Sequence, residues 1–339
     1  MIALDLNLPT RVREAGAAAL AAQSGGFGCG WIPETTSDPF PVATAALLQT
    51  TSMRIGTAVA VAFARAPFVT AQAAWELSRC SDGRFTLGLG TQVKAHIERR
   101  FSGHWSEPAA RLSEYIQALR ACWSAFAAEE PLRFAGRFYR VDLLTAHFDP
   151  GPIDHPHIPV AIAGVNAGMG RLAGELCDGL ICHPLHSRQY LEEVLVAAVI
   201  EGAATAGRSR SAVEVLVPVW VVTGTAQERD AARDAIRQQI AFYGSTRTYR
   251  RVFEVHGWDH LPSLLHEKLA AGRLDLAAAA VTDEMVETFA VCAPMEGLAD
   301  AIRQRLGGLA DRTMVYSPLP RAVGVLELEA LAAELAAMP

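Results

Sequence analysis

MRIGTAVAVA (residues 53–62) and RFTLGLG (84–90) frame the stretch that decides the fold. Both are apolar runs without strict polar alternation, as expected of strands buried on both faces. The segment between them, FARAPFVTAQAAWELSRCSDG (63–83), reads as an R-x-P turn and then a helix ending near Leu77 and Ser78. A strand, a helix and another strand in that order imply parallel strands.

Working outward, six further runs have the same character: IALDL (2–6), GCGWIP (28–33), IPVAIAG (158–164), DGLICH (178–183), VEVLVPVWVVTG (213–224) and RTMVYSP (312–318). Alanine-rich amphipathic segments separate most of them. RVREAGAAALAAQ follows the first run, and RLSEYIQALRACWSAF follows the fourth with Leu112, Tyr115, Ile116, Leu119, Trp123 and Phe126 at helical spacing. Eight strand–helix units favour a closed α/β structure, the (β/α)8 TIM barrel. An open doubly wound sheet is the alternative, but the first turn, LNLPTRVRE, carries no G-x-G-x-x-G. One domain over residues 1–339 is expected, with insertions in the loops of the C-terminal face at about 91–107, 128–157 and 226–294. The second contains GRFYRV (136–141), read as a short hairpin. The third reads as helical pieces, among them TDEMVETFAV (282–291).

Composition narrows the function. The chain has 339 residues, 51% of them apolar, and a formal net charge of −6. That balance gives no electrostatic reason to expect nucleic acid. No uncharged run approaches the roughly 20 residues that span a bilayer, and the start, MIALDLNLPT, lacks the pattern of a secretory signal. A soluble, cytoplasmic protein without membrane contact is therefore expected. Six scattered cysteines form no CxxC pair, so neither a disulfide framework nor a metal site is suggested. Small-molecule chemistry is the better reading.

In such a barrel the chemistry sits at the C-terminal ends of strands. Those positions are Asp5 and Asn7; Pro33, Glu34 and Thr35; Ala58 to Ala62; Thr91 and Gln92; Gly164, Val165 and Asn166; Cys182 and His183. AGVNAGMG (163–170) puts glycines and a short polar residue between a strand and a helix, where backbone N–H groups can face an anion; tight-turn chemistry alone would also explain it. Asp5 is either a site residue or half of an internal ion pair, because a lone buried carboxylate is costly. Asp82 and Arg84 enter a strand at its N-terminal end, the face of stability rather than catalysis.

WIPE (31–34), IGTAVAVAFARAPFVTAQAAWELSRCSDGRFTLGLG (55–90) and AGVNAGMGRLAGELCDGLICH (163–183) resemble, in succession, the signatures of the luciferase-like flavin and deazaflavin oxidoreductases. The similarity covers nearly the whole chain. SDPF (37–40), TQVKAHIERRF (91–101) and AFYGST (241–246) are similar to a subgroup that uses the deazaflavin coenzyme F420. This resemblance implies a cofactor at the barrel mouth, its ring against the third and fourth strands. Ala58, Val59 and Ala60 would support that ring, with a non-proline cis bond between Ala58 and Val59. Gly164, Val165 and Asn166 would hold the phosphate, and Cys182 and His183 would close the pocket opposite; a packed histidine is the plainer reading of His183. Asp5 is carried as a further cofactor contact. Thr91 and Gln92 would hydrogen-bond the ring edge.

F420-using relatives place an acidic residue and then a histidine after the second strand, whereas this chain reads Glu34, Thr35, Thr36. The proton role does not carry over to Thr35. Glu34 is a candidate general acid or base, or else a loop anchor, and His96 is the candidate replacement for the missing histidine. Lys94 lies further out. Glu98, Arg99 and Arg100 read as a salt-bridged surface turn. Phe63, Trp105, Phe242 and Tyr243 could wall a pocket or be plain core.

The expected activity is hydride transfer between F420 and a small organic substrate, in a homodimer served by a flavin or F420 reductase as electron donor. A reduced-FMN monooxygenase and a catalytically silent flavin-binding barrel are the alternatives. A non-redox sugar-phosphate barrel fits less well, since no strand ends in a lysine suited to Schiff-base chemistry.

Overall fold

A computed structural model describes residues 2–316 and 323–337 of the chain. Eight parallel strands close into a barrel: β1 (Ala3–Asn7), β2 (Cys29–Ile32), β3 (Arg54–Thr57), β4 (Phe85–Gly90), β5 (Val160–Gly164), β6 (Gly179–Cys182), β7 (Glu214–Val222) and β8 (Arg312–Val315). Each pairs with the next, and β8 pairs back onto β1 through Ala3↔Arg312 to Asp5↔Met314. Every apolar run of the sequence matches one of these strands, β1 running one residue past its run to Asn7; the end of the last run, residues 317–318, lies outside the described residues. Helices cover the outside. Pro108–Phe126 buries Leu112, Tyr115, Ile116, Leu119, Trp123 and Phe126, the face its spacing predicts, in part against the helix Pro67–Cys80.

The run 53–62 is not one strand. β3 stops at Thr57, the Ala58–Val59 bond is cis as the resemblance implies, and pairing with β4 resumes at Ala60–Val61. Gly56 faces Thr86 and Ala60 faces Leu89, so four residue steps on one side match three on the other. That extra residue is a β-bulge. β4 accommodates it with glycines: a Cβ on Gly88 would be driven into the Thr57 carbonyl oxygen, and one on Gly90 into the Val59 side chain. Thr57 locks the contact, its hydroxyl donating to the Gly88 carbonyl at 2.6 Å and accepting from the Gly88 N–H at 2.9 Å.

Below the bulge the barrel is plugged by charge. Asp5, 1% exposed, accepts hydrogen bonds from Arg312 at 2.7 and 2.5 Å and from the Trp31 indole at 2.7 Å. Arg312 also reaches Glu214 at 3.2 Å, and Arg54 binds Glu214 through both terminal nitrogens at 3.1 and 3.0 Å. Two guanidinium groups thus face two carboxylates. Burial works against the Arg312 charge, but the hydrogen bonds and charge of Asp5 outweigh it and hold the guanidinium above its ordinary pKa. Asp5 is therefore the internal ion-pair partner, and its place among the cofactor contacts is corrected: it is enclosed, with Arg312 and Trp31 as its partners. Trp31, Ala161, Ile181, Leu216 and Met314 form a separate apolar layer inside the barrel.

The insertions have their own order. Phe134–Ala135 and Arg140–Val141 pair antiparallel, as GRFYRV suggests, and Glu114 accepts from the N–H groups of Arg137, Phe138 and Tyr139 in the connecting turn. The reading of TDEMVETFAV as wholly helical needs correction: the helix is Asp283–Phe289, and Ala290–Cys292 is a strand parallel to the outer part of β7. β7 has nine residues, and its outer end, Trp220–Val222, would otherwise present unpaired backbone groups. Arg84 pins the N-terminal side, donating to Thr50 and to the Met53 carbonyl, in keeping with a stabilising role. Among the described residues no helix is long and apolar enough to cross a membrane.

Two outcomes follow from this packing. Gly88→Ala should destabilise the protein by at least about 2 kcal/mol in urea unfolding, because the obstructing atom is backbone and cannot rotate away. The second concerns pH. Burial acts to raise the Glu214 pKa, but Arg54 and then Arg312 outweigh it and hold the carboxyl below its usual range. Its contribution is therefore fully present above the unfolded value of about 4.3 and is lost as pH falls through the lower folded value. Stability should decline more steeply below about pH 4.3 in the native protein than in Glu214→Gln.

Candidate active site at the C-terminal mouth

The strand ends converge on one mouth. On the bulge Ala58 and Val59 are half-buried while Ala60 is enclosed, so a shelf of small groups faces upward beside β4. Thr91 and Gln92 follow the end of β4, both half-buried. Gln92 has φ +59°, a left-handed conformation that costs a non-glycine residue on the order of 1–2 kcal/mol. Its Oε1 accepts from the Val93 N–H at 3.1 Å, so the amide NH2 keeps its donors. The Thr91 hydroxyl donates to the Gln92 carbonyl at 3.1 Å.

Lys94–Arg99 forms a short helix over this edge, with Ile97 enclosed beneath it. His96 is half-buried, and its Nδ1 is enclosed with no hydrogen-bond partner. The ion pair of this segment is Lys94–Glu98 at 3.9 Å, whereas Arg99 and Arg100 are exposed.

Across the mouth, β5 runs into the helix Ala167–Leu176 through Gly164, Val165 and Asn166. Asn166 caps that helix, its Oδ1 accepting from the Met169 N–H at 3.1 Å. Helix geometry leaves the N–H groups of the first turn, including Ala167 and Gly168, without intrahelical acceptors, which suits an anion. The Tyr190 hydroxyl donates to the Val165 carbonyl at 2.5 Å and holds the turn in place.

His183 follows β6 and lies edge-on to Tyr243 and Tyr249, with ring centroids 4.2 and 4.9 Å away. The Leu185 N–H donates to His183 Nδ1 at 3.0 Å, so the ring proton sits on Nε2. Burial, aided by His186, pushes its pKa down to about 3 and keeps the ring neutral. Cys182 departs from expectation. Its side chain packs in the outer core, with burial pushing the thiol up to about 12, so only its backbone can border the mouth.

Glu34 also departs from the acid–base role. It accepts from the Val61 N–H at 2.7 Å and from both terminal nitrogens of Arg65 at 2.8 and 3.0 Å. Arg65 continues to Asp38 at 2.8 Å and lies over the Phe40 ring. Glu34 thus ties the loop after β2 to the bulge, the anchoring alternative. Reading the sequence missed Arg65 and Tyr190, and Tyr249 read only as an aromatic that packs the third insertion. Arg65 does stand in the R-x-P turn of FARAP, an apolar setting that calls for a partner.

The profile of the luciferase-like monooxygenase family matches residues 2–312. The protein Rv1360 of Mycobacterium tuberculosis is 43% identical over 312 residues, 92% of each chain. The 5,10-methylenetetrahydromethanopterin reductase of Archaeoglobus fulgidus is 27% identical over 298 residues, 85% of this chain and 83% of that one. Among solved structures, the coenzyme F420 dependent tetrahydromethanopterin reductase of Methanopyrus kandleri covers 99% of both chains with a TM-score of 0.79 at 21% identity, a likeness of fold. With the barrel, its bulge and a profile match spanning all but the C-terminal segment, this chain belongs to the luciferase-like monooxygenase family.

Proposed function

We propose that the protein is an oxidoreductase that exchanges hydride between coenzyme F420 and a small organic substrate at the C-terminal mouth. The observation that carries this reading is the bulged β3 lying against glycines of β4. It sets a flat, small-sided shelf beside Thr91 and Gln92, with amide N–H groups of a helix start opposite. That donor set suits a planar ring with an anionic tail. The reductase activity of the A. fulgidus relative, and the F420 dependence of its M. kandleri counterpart, support the deazaflavin over FMN.

A bound deazaflavin would supply the hydride chemistry, and the protein's share is placement. Ala58, Val59 and Ala60 support the ring from beneath. The Gln92 amide and Thr91 hydroxyl hydrogen-bond its polar edge. Gly164, Val165 and Asn166 offer backbone N–H groups to the phosphate, and the neutral His183 donates through Nε2. Glu34 holds the second loop on the bulge through Arg65, so proton movement falls to His96, whose enclosed Nδ1 leaves Nε2 for exchange.

Side-by-side fluorescence titration with F420 and FMN tests the cofactor: saturable F420 binding is expected, and saturation by FMN alone would point to the reduced-flavin monooxygenase instead. Gln92→Gly separates binding from folding. Losing the amide should weaken F420 binding by about 2- to 10-fold, while the left-handed backbone, natural for glycine, should keep stability within about 1 kcal/mol of native. Unchanged F420 affinity would remove Gln92 from the site.

A further inference from the structure

The turn after β5 is held from behind, and the hold begins in the third insertion. Tyr190 is buried, and its hydroxyl donates to the Val165 carbonyl at 2.5 Å. Burial raises the pKa of this phenol, so it stays a donor. In a planar trans peptide the C=O and the following N–H point in opposite directions. Drawing the Val165 oxygen towards Tyr190 therefore turns the Asn166 N–H to the exposed side of the turn, where it has no backbone acceptor among the described residues.

Ser187 sets where Tyr190 stands. Its hydroxyl oxygen accepts the Tyr190 N–H at 3.0 Å and caps the short helix Arg188–Tyr190. The hydroxyl hydrogen still needs an acceptor, and the His256 ring supplies one, its Nε2 2.8 Å away. The ring proton then sits on Nδ1. His256 belongs to the third insertion, where Trp258 lies 4.9 Å and Phe289 6.0 Å from its ring. Phe289 leads directly into the strand Ala290–Cys292 on β7. Burial lowers the His256 pKa; Glu193 and Glu284 face the ring and oppose that shift, and Arg305 adds to it. The ring is therefore neutral near neutral pH, as an acceptor must be.

We infer that His256 is a positioning residue for the anion site: it fixes Ser187, Ser187 fixes Tyr190, and Tyr190 aims the Asn166 amide at the mouth. Docking of the third insertion and binding of a phosphate-bearing cofactor then reinforce each other, since coupling between two sites is reciprocal. The inference rests on reading Gly164, Val165 and Asn166 as the phosphate contacts. Protonating His256 removes the acceptor, because both ring nitrogens then donate and the Ser187 hydrogen loses its place. The neutral ring is fully present above the ordinary histidine value of about 6.5 and is lost as pH falls through its lowered folded value. Cofactor affinity therefore declines on the acid side. If Tyr190 and His256 only fill space beside β6, affinity is indifferent to both hydrogen bonds.

Affinity is read by fluorescence titration of the full chain with F420, or with FMN if F420 does not saturate it. Tyr190→Phe and His256→Ala should each weaken binding by about 2- to 10-fold. The double variant should lose no more than the larger single loss, because both substitutions cut the same chain of contacts. Ser187→Ala cuts it as well if His256→Ala folds poorly. In His256→Gln the side-chain carbonyl can accept from Ser187 without titrating. That variant should bind as the native protein does above about pH 7 and lack the native decline below it. Hydrogen exchange on the cofactor-free protein adds a readout that needs no ligand: amides of residues 163–170 should exchange faster in both single variants. If neither cofactor saturates the native chain, it is the phosphate reading that fails, and the exchange rates still decide whether His256 holds the turn. Unchanged affinity in the single variants, additive losses in the double, or an acid-side decline that survives in His256→Gln overturns the inference. So do exchange rates that stay native.

Discussion

Arg312 and Asp5 stand 307 positions apart and meet inside the barrel, which makes their ion pair the link between the last strand and the first. A buried ion pair adds little net stability over an apolar pair of the same volume, yet leaving either half alone is very costly. The arrangement therefore acts as a register lock. Any closure that slips β8 along β1 separates the guanidinium from its carboxylate, and the Trp31 indole, Glu214 and Arg54 extend the same requirement to β2, β7 and β3. Gly28 belongs to this lock by having no side chain, since a Cβ there would strike the Arg312 guanidinium.

Plugging the lower half with charge and the layer above it with Trp31 and its apolar neighbours leaves the C-terminal ends of the strands as the working face. There the design reverses. Large groups give way to Gly88, Gly90, Ala58 and Ala163, and the backbone of β3 swings inward because β4 offers no side chain to oppose it. Glu34 and Arg65 then stake the bulge to the loop after β2. A rigid floor, a bulged shelf and a staked loop are successive consequences of the same tightly registered barrel.

The third insertion adds the remaining side of the mouth. It is anchored by backbone pairing, with Ala290–Cys292 extending the sheet beside the overshooting end of β7. From that anchorage its helices carry Tyr243 and Tyr249 back over His183, so a histidine at a strand end becomes a neutral, oriented donor. Its orientation comes from the Leu185 N–H and its neutrality from burial, neither of which is a property of histidine itself.

Strand number, parallel order and the buried face of the helix Pro108–Phe126 were legible in the sequence, because periodicity and run length are local and each run must bury the same faces whatever its partner. The hairpin around residues 134–141 and the glycine-bearing turn after β5 were legible for the same reason. The family resemblance placed the Ala58–Val59 bond. What the sequence alone could not decide was which charge meets which: Asp5 with Arg312, Glu34 with Arg65, Lys94 with Glu98 in place of a wider salt-bridged turn. Nor could it show that FAV in TDEMVETFAV leaves the helix for a sheet edge, that the Cys182 side chain turns away from the mouth, or that Tyr249 comes to rest on His183. Those outcomes depend on groups far apart in the chain being brought to within a few ångströms, and only the closed barrel sets that distance.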